Sequence, residues 1–146
     1  MADEAIYIYA SQVTLEASGG SSGSGAFVAA NDAALSSTNH KDYPVGDCAL
    51  TCDFGAAVAA GVVVHLFRQD LNIDSTADAP APATTFEEKW VGAFAIPSGQ
   101  SASATYSLPN VPLTKECQFS LKNGTAQTIS AGWVLKITPK TYGPAT

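Results

Sequence analysis

The stretch CQFSLKNGTAQTISAGWVLKITPKT, Cys117 to Thr141, holds two alternating runs separated by an Asn-Gly pair. In the first run Cys117, Phe119 and Leu121 share one side of an extended chain, with Gln118, Ser120 and Lys122 on the other. In the second, Ile129, Ala131, Trp133, Leu135 and Ile137 oppose Gly132, Val134, Lys136 and Thr138. Successive side chains of a strand point to opposite faces, so this period of two marks half-buried strands. Asn123-Gly124 supplies the turn chemistry between them. Asn123-Gly124-Thr125 also spells a glycosylation sequon, but with no secretory pattern expected it reads more simply as a turn. The phase of Trp133 assigns it to a hydrophobic core.

The same period recurs outward from this stretch. EEKWVGAFAI aligns Trp90, Phe94 and Ile96, and SATYSL aligns Tyr106 with Leu108. Turn signals at Pro97-Ser98-Gly99 and Pro109-Asn110-Val111-Pro112 punctuate the runs. Short, regularly spaced strands with little helical periodicity predict an all-β fold, an antiparallel β-sandwich with long loops. GVVVHLFR is apolar on both sides: Val62, Val64 and Leu66 on one, Val63, His65 and Phe67 on the other. It reads as a central strand covered twice, or one whose outer face meets a partner. The N-terminal arm, residues 1–16, alternates Ile6 and Ile8 with Tyr7 and Tyr9, then changes phase at Ser11-Gln12 so that Val13 and Leu15 continue the tyrosine parity. Such an arm suits a contact with another subunit or a crossing between sheets.

Three segments do not read as strands. Residues 18–25, SGGSSGSG, form a flexible Gly/Ser loop. AFVAANDAALSSTNHKDYP has room for one helical turn, with weak periodicity. Residues 69–86 form a long loop with an Ala-Pro-Ala-Pro-Ala section, and loops of that length usually carry function or lack order.

Composition narrows the function classes. The 146 residues suffice for one domain with a real core. Seven scattered basic residues and a net charge of −6 exclude a phosphate-binding patch, so no nucleic acid is expected as partner. No apolar run approaches the roughly 18 residues of a membrane span, and the acidic start MADEAIYIYA lacks a secretory pattern. A chain made in the cytoplasm, with no membrane partner, is the expectation. The three cysteines make an odd number, which disfavours a disulfide framework. Cys48 and Cys52 would lie about 13 Å apart on one strand face at about 3.3 Å per residue, too far for a bridge. Buried free thiols are expected, because a zinc site would need tighter ligand pairs and His40 or His65 as a fourth ligand.

No reactive constellation emerges. Gly19-Gly20-Ser21-Ser22-Gly23 matches G-x-S-x-G by letter, but a nucleophile elbow needs a strand before it and a helix after it. Asp70, Asn72 and Asp74, followed by Asp78, resemble the opening of a calcium loop. Ser75 stands where glycine belongs, however, and Ala81 where the bidentate acid belongs, so a solvated acidic loop is the reading. His65 in a Val-rich strand suits a hydrogen-bonded core or interface role. Glu87 and Glu88, on opposite faces of a strand, cannot serve one bond. Catalytic residues, cofactors and metals are therefore not expected. A sugar platform would need exposed aromatic faces; with Trp90 and Trp133 both phased to the core, it would have to come from Tyr43, Tyr142 or loop residues.

The order VGDCALTCDF, GVVVHLFRQDLNID, a Pro-rich loop, EEKWVGAFAIP and ATYSLPNVPLTKECQFSLKNGTAQTISAGWVLKITPKTYGP resembles the capsid decoration, or cement, proteins of tailed bacteriophages. The resemblance runs from Asp47 to Pro144 and lies in pattern, most clearly in the closing stretch. It implies a jelly-roll-like sandwich on the outside of the virion capsid, a homodimer or homotrimer that bridges capsomers of the major capsid protein. On this reading Ile6, Tyr7, Ile8 and Tyr9 of the arm, and Asp70, Asn72, Asp74 and Phe86 of the long loop, are candidate partner contacts. A tail or collar component, or a carbohydrate-binding receptor module, is the alternative.

Overall fold

The computed structural model describes residues 5–35, 43–71, 79–84 and 89–144. Its strands are β1 (Ala5–Tyr9), β2 (Val13–Gly19), β3 (Phe27–Ala29), β4 (Val45–Cys52), β5 (Val63–Asp70), β6 (Trp90–Ala95), β7 (Ala104–Pro112), β8 (Cys117–Asn123) and β9 (Trp133–Pro144). No α-helix occurs among the described residues. The strands make two antiparallel sheets, one ordered β1-β9-β4-β7 with β2 also paired to β9, the other ordered β3-β8-β5-β6. The expected all-β sandwich is the fold.

Alternation builds the core. Cys117, Phe119 and Leu121 of β8 and Trp133, Leu135 and Ile137 of β9 are buried, and they join Cys48, Leu50 and Cys52 of β4 and Val64, Leu66 and Phe94 in one cluster. Burying each large apolar side chain stabilises the fold by roughly 1.5–3 kcal/mol, the main return against chain entropy. Trp133 fills the space beside the end of β2: a Cβ added at Gly19 would collide with its indole, and its Nε1–H donates to the Gly20 carbonyl at 2.7 Å.

Several sequence signals resolve differently from the expectation. The Gly/Ser run leads from β2 to β3 and is tied to the fold by hydrogen bonds. Ser22, buried, exchanges backbone bonds with Ile129 at 3.0 and 2.9 Å, and the Gly25 N–H donates to the Asn123 carbonyl at 2.7 Å. Phe27–Ala29 takes strand pairing with β8 in place of a helical turn, and Leu35 exchanges backbone bonds with Cys117. Pro109-Asn110-Val111-Pro112 is a bulge inside β7 and makes no reversal. There the register against β4 shifts between Gly46 and Cys48, and Asn110 takes φ 59°, a left-handed conformation that Asn tolerates better than most residues. Pro97-Ser98-Gly99 is a turn, with Gly99 at φ 80°.

The phase change of the arm has the same kind of origin. β1 pairs with β9 through Tyr9↔Lys140 and β2 through Val13↔Ile137, so the register slips by one residue between them. A one-residue slip exchanges the faces. Tyr7 and Tyr9 consequently share the outer face with Lys140, whereas Leu15 points into the core.

Candidate functional site

Two exposed aromatic clusters stand out, one at the end of each sheet's outer surface. The first is a two-stranded ribbon. β4 follows β9 only as far as Lys140, so among the described residues Thr141 to Pro144 have β1 alone as a pairing neighbour. The Ala10 N–H donates to the Pro139 carbonyl at 2.8 Å. By the alternation of an antiparallel ladder this turns the backbone groups of Ile6 and Ile8 toward β9 and those of Tyr7 and Tyr9 toward the sheet edge. Among the described residues no strand pairs with that edge.

The ribbon is apolar on both faces. Ile6 and Ile8 lie on one side, where Gly143 leaves room for the Ile8 side chain. On the other, the Tyr7 ring packs 4.3 Å from Tyr142 and 6.2 Å from Tyr9, and the Tyr7 and Tyr142 hydroxyls share a hydrogen bond. That bond raises the Tyr142 pKa above its ordinary value. Lys140 sets its ammonium 4.6 Å from the Tyr7 ring centre and 2.6 Å from Asp47 Oδ1, and the bond to Asp47 holds the Lys140 pKa above its usual range. Asp47 Oδ1 also accepts the Asn110 N–H of the β7 bulge at 3.0 Å. Ile6, Tyr7, Ile8, Tyr9 and Tyr142 are all exposed, Tyr9 by 53% and Tyr142 by 62%. A contiguous apolar surface of this kind typically marks an interaction site.

The second cluster was legible only in part, from the apolar His65 and Phe67 side of GVVVHLFR, and it corrects the core assignment of Trp90. Gly92 pairs with Leu66 and Trp90 with Phe67, so Val91 is an extra residue in β6. The bulge turns Trp90 away from Phe94 and Ile96, which are buried, and onto the outer face of the sheet. There the indole is 52% exposed, and its Nε1–H donates to His65 Nδ1 at 3.1 Å. Phe67, buried on this outer side, meets Phe27 edge to face at 5.1 Å. Lys122 places its ammonium 5.3 Å from the Phe27 ring centre. His65, Phe67, Trp90 and Lys122 line a shallow depression of about 140 Å³. Trp133, by contrast, is in the core as its phase requires.

Of the loop candidates, Asp70 is described and Asn72, Asp74 and Phe86 lie outside the described residues, as do Asp78, Glu87, Glu88 and His40. Asp70 Oδ1 accepts from Arg68 Nε and from Thr114 Oγ1, each at 2.8 Å. The structure thus brings Ile6 to Tyr9 together on one ribbon and gives Asp70 a separate internal ion pair. Among the described residues no group of three His, Cys, Asp or Glu could hold a metal, and no helix is long and apolar enough to cross a membrane. Cys48, Cys52 and Cys117 are free and buried, and burial raises all three thiol pKa values. The run around Ser21 lacks the helix that a nucleophile elbow requires. Asn123 of the sequon is fully buried, with both its amide hydrogens engaged: Nδ2 donates to the carbonyls of Ser22 at 2.9 Å and Gln127 at 2.7 Å. No protein-family model matches this chain, and neither a curated protein nor a solved structure shows significant similarity to it.

Proposed function

We propose that this chain is a virion structural protein that decorates the outside of a phage head, clamping the lattice of the major capsid protein without catalysis. The observation that supports this most directly is the ribbon of β1 and the end of β9, apolar on both faces and, among the described residues, unpaired along one edge. Exposed edges are a liability that folds normally blunt with charge or proline, and here Tyr7 and Tyr9 occupy the edge. Pairing with a further strand, from a second copy or a capsid subunit, would satisfy the open backbone groups and cover the rings. Individually modest contacts gain strength when repeated over a symmetric shell. The strand order also supports the family reading. With β1 and β2 counted as one broken strand, two sheets ordered in this way suit a jelly-roll winding, the architecture that the resemblance implies.

Incubation of the purified protein with capsids lacking it tests this reading. Stoichiometric binding and a higher rupture temperature are expected, both lost in a Tyr7→Ser, Ile8→Ser variant whose own melting temperature stays close to wild type. Binding to purified tails in preference to heads would replace it with the tail or collar alternative. A carbohydrate-binding receptor module draws its support from the Trp90 face instead.

A further inference from the structure

We infer that the depression around Trp90 is a binding site for an uncharged pyranose ring of a surface polysaccharide. The inference is independent of where on a particle the protein sits, because it uses none of the ribbon.

Four features of the outer face of the β3-β8-β5-β6 sheet point this way. First, the β6 bulge spends a residue to aim a large indole at solvent, and bulges are over-represented where a side chain has to be re-aimed beside a site. Second, the indole is held in one orientation. Its N–H is engaged by His65 Nδ1, and its cross-strand neighbour Phe67 packs edge to face with Phe27. A fixed apolar plane loses little entropy on binding, which is the advantage of a preorganised platform. Third, the plane has a polar rim. The Lys122 ammonium carries N–H donors that can reach hydroxyl or ring oxygens of a ligand. Fourth, the depression of about 140 Å³ is well below the roughly 300–1,000 Å³ of pockets that enclose whole organic ligands. It suits one ring lying flat against the indole.

A pyranose matches these features together. Its C–H face is apolar and flat enough to cover an indole, and its edge is ringed with hydroxyls. The net charge of −6 disfavours a polyanionic chain, which leaves uncharged sugars as the chemical class. The platform also explains Gly124. A Cβ there would press on the Val63 carbonyl and on the His65 ring, which would disturb the partner that fixes Trp90.

The two tryptophans make a direct test. Each contributes one indole N–H resonance in a ¹H–¹⁵N spectrum, and Trp133 is buried in the core as an internal control. The full chain is titrated with hexasaccharides of glucose, mannose, galactose and N-acetylglucosamine. At least one should shift the Trp90 resonance saturably while leaving the Trp133 resonance in place. Followed through the backbone amide resonances of His65, Phe67 and Lys122, Trp90→Ala should weaken that binding at least about tenfold, as loss of a stacking partner requires, with the Trp133 resonance confirming that the variant is folded. Lys122→Met, which keeps the stem and removes the donors, should weaken it by a smaller factor. The inference is overturned if none of the sugars moves the Trp90 resonance, or if Trp90→Ala binds as wild type does. It is equally overturned if only a capsid or tail protein moves the resonance, which would make the face a protein-docking surface.

Discussion

Replacement of Asn123 tests whether a buried polar knot, in addition to apolar burial, holds the two sheets in register at the Gly/Ser segment. Asn123 sits at the end of β8 with no solvent exposure. Its Nδ2 donates to Ser22 and Gln127 carbonyls, and its Oδ1 accepts from the Thr125 N–H at 3.0 Å and the Thr125 hydroxyl at 2.8 Å. In Asn123→Ala all four bonds go. The Ser22 carbonyl keeps the Ile129 N–H, and the Gln127 carbonyl keeps the Thr125 hydroxyl, so only the Thr125 N–H is left stranded. The single Thr125 hydroxyl proton is shared between Asn123 Oδ1 and the Gln127 carbonyl, so three full bonds at about 1 kcal/mol each and an orphaned donor at about 1–2 kcal/mol predict a loss of about 4–5 kcal/mol. That is a large part of the roughly 5–15 kcal/mol typical of a domain.

Asn123→Asp separates hydrogen bonding from shape. The introduced carboxyl keeps the volume, but one oxygen then faces two carbonyls. Repulsion and burial raise its pKa in the native state above the roughly 3.9 of an unfolded Asp. Above that value the unfolded chain releases a proton that the native state retains, so the stability of this variant falls as the pH rises. Urea unfolding followed by tryptophan emission, at pH 4.5 and at pH 8, reads both effects. The Ala variant should lose about the same stability at either pH, and the Asp variant should lose clearly more at pH 8. An Ala penalty under about 1 kcal/mol, or an Asp penalty independent of pH, would refute the reasoning.

Three further outcomes follow from buried groups. The Tyr106 hydroxyl is buried with no hydrogen-bond partner among the described residues, and desolvation raises its pKa. Tyr106→Phe should therefore leave the stability unchanged or raise it by up to about 1 kcal/mol, as measured by thermal unfolding. Burial pushes the Cys52 thiol up to about 12 and raises Cys48 and Cys117 as well. A disulfide reagent at pH 8 should label none of the three in the native protein and all three after unfolding. Because these pKa values are raised, stability should also decline as the pH climbs past the ordinary thiol value of 9.0.

The apolar edge of β1, unpaired among the described residues, raises the question of how the free protein avoids indefinite strand addition. Its ladder with β9 is only five residues long, and Pro144 stands opposite Ala5 at its end. The register slip between Tyr9 and Val13 then breaks the edge before β2 begins. Short edges and bulges are the usual devices against open-ended pairing. They leave room for one strand of a partner and no continuous template.

Much of the fold was legible because the period of two survives wherever a strand is paired without interruption. Cys117, Phe119, Leu121, Trp133, Leu135 and Ile137 are core residues in the structure as in their sequence phase. The strong alternation of β8 and β9 therefore identified the sandwich. The exposed arm was also visible, since a run with Ile6 and Ile8 on one face and Tyr7 and Tyr9 on the other has no solvent face to offer.

What parity could not supply was the side on which a residue finishes after a bulge. The inversion of Trp90 depends on Phe67 taking Trp90 as its partner, so that Val91 is passed over. The turn signal in β7 became a left-handed Asn110 because β4 lies alongside. The Gly/Ser run found hydrogen-bond partners on β8 and in the segment before β9. Each of these is decided by a strand distant in the chain. Local alternation is enough to say that a segment is a strand with one apolar side. The choice between core and surface rests on the register with a neighbour, and a slip of one residue reverses it. The sequence alone therefore determined the class of fold and the core of its last two strands. Tertiary pairing alone decided that Trp90 faces solvent on the outer side of its sheet.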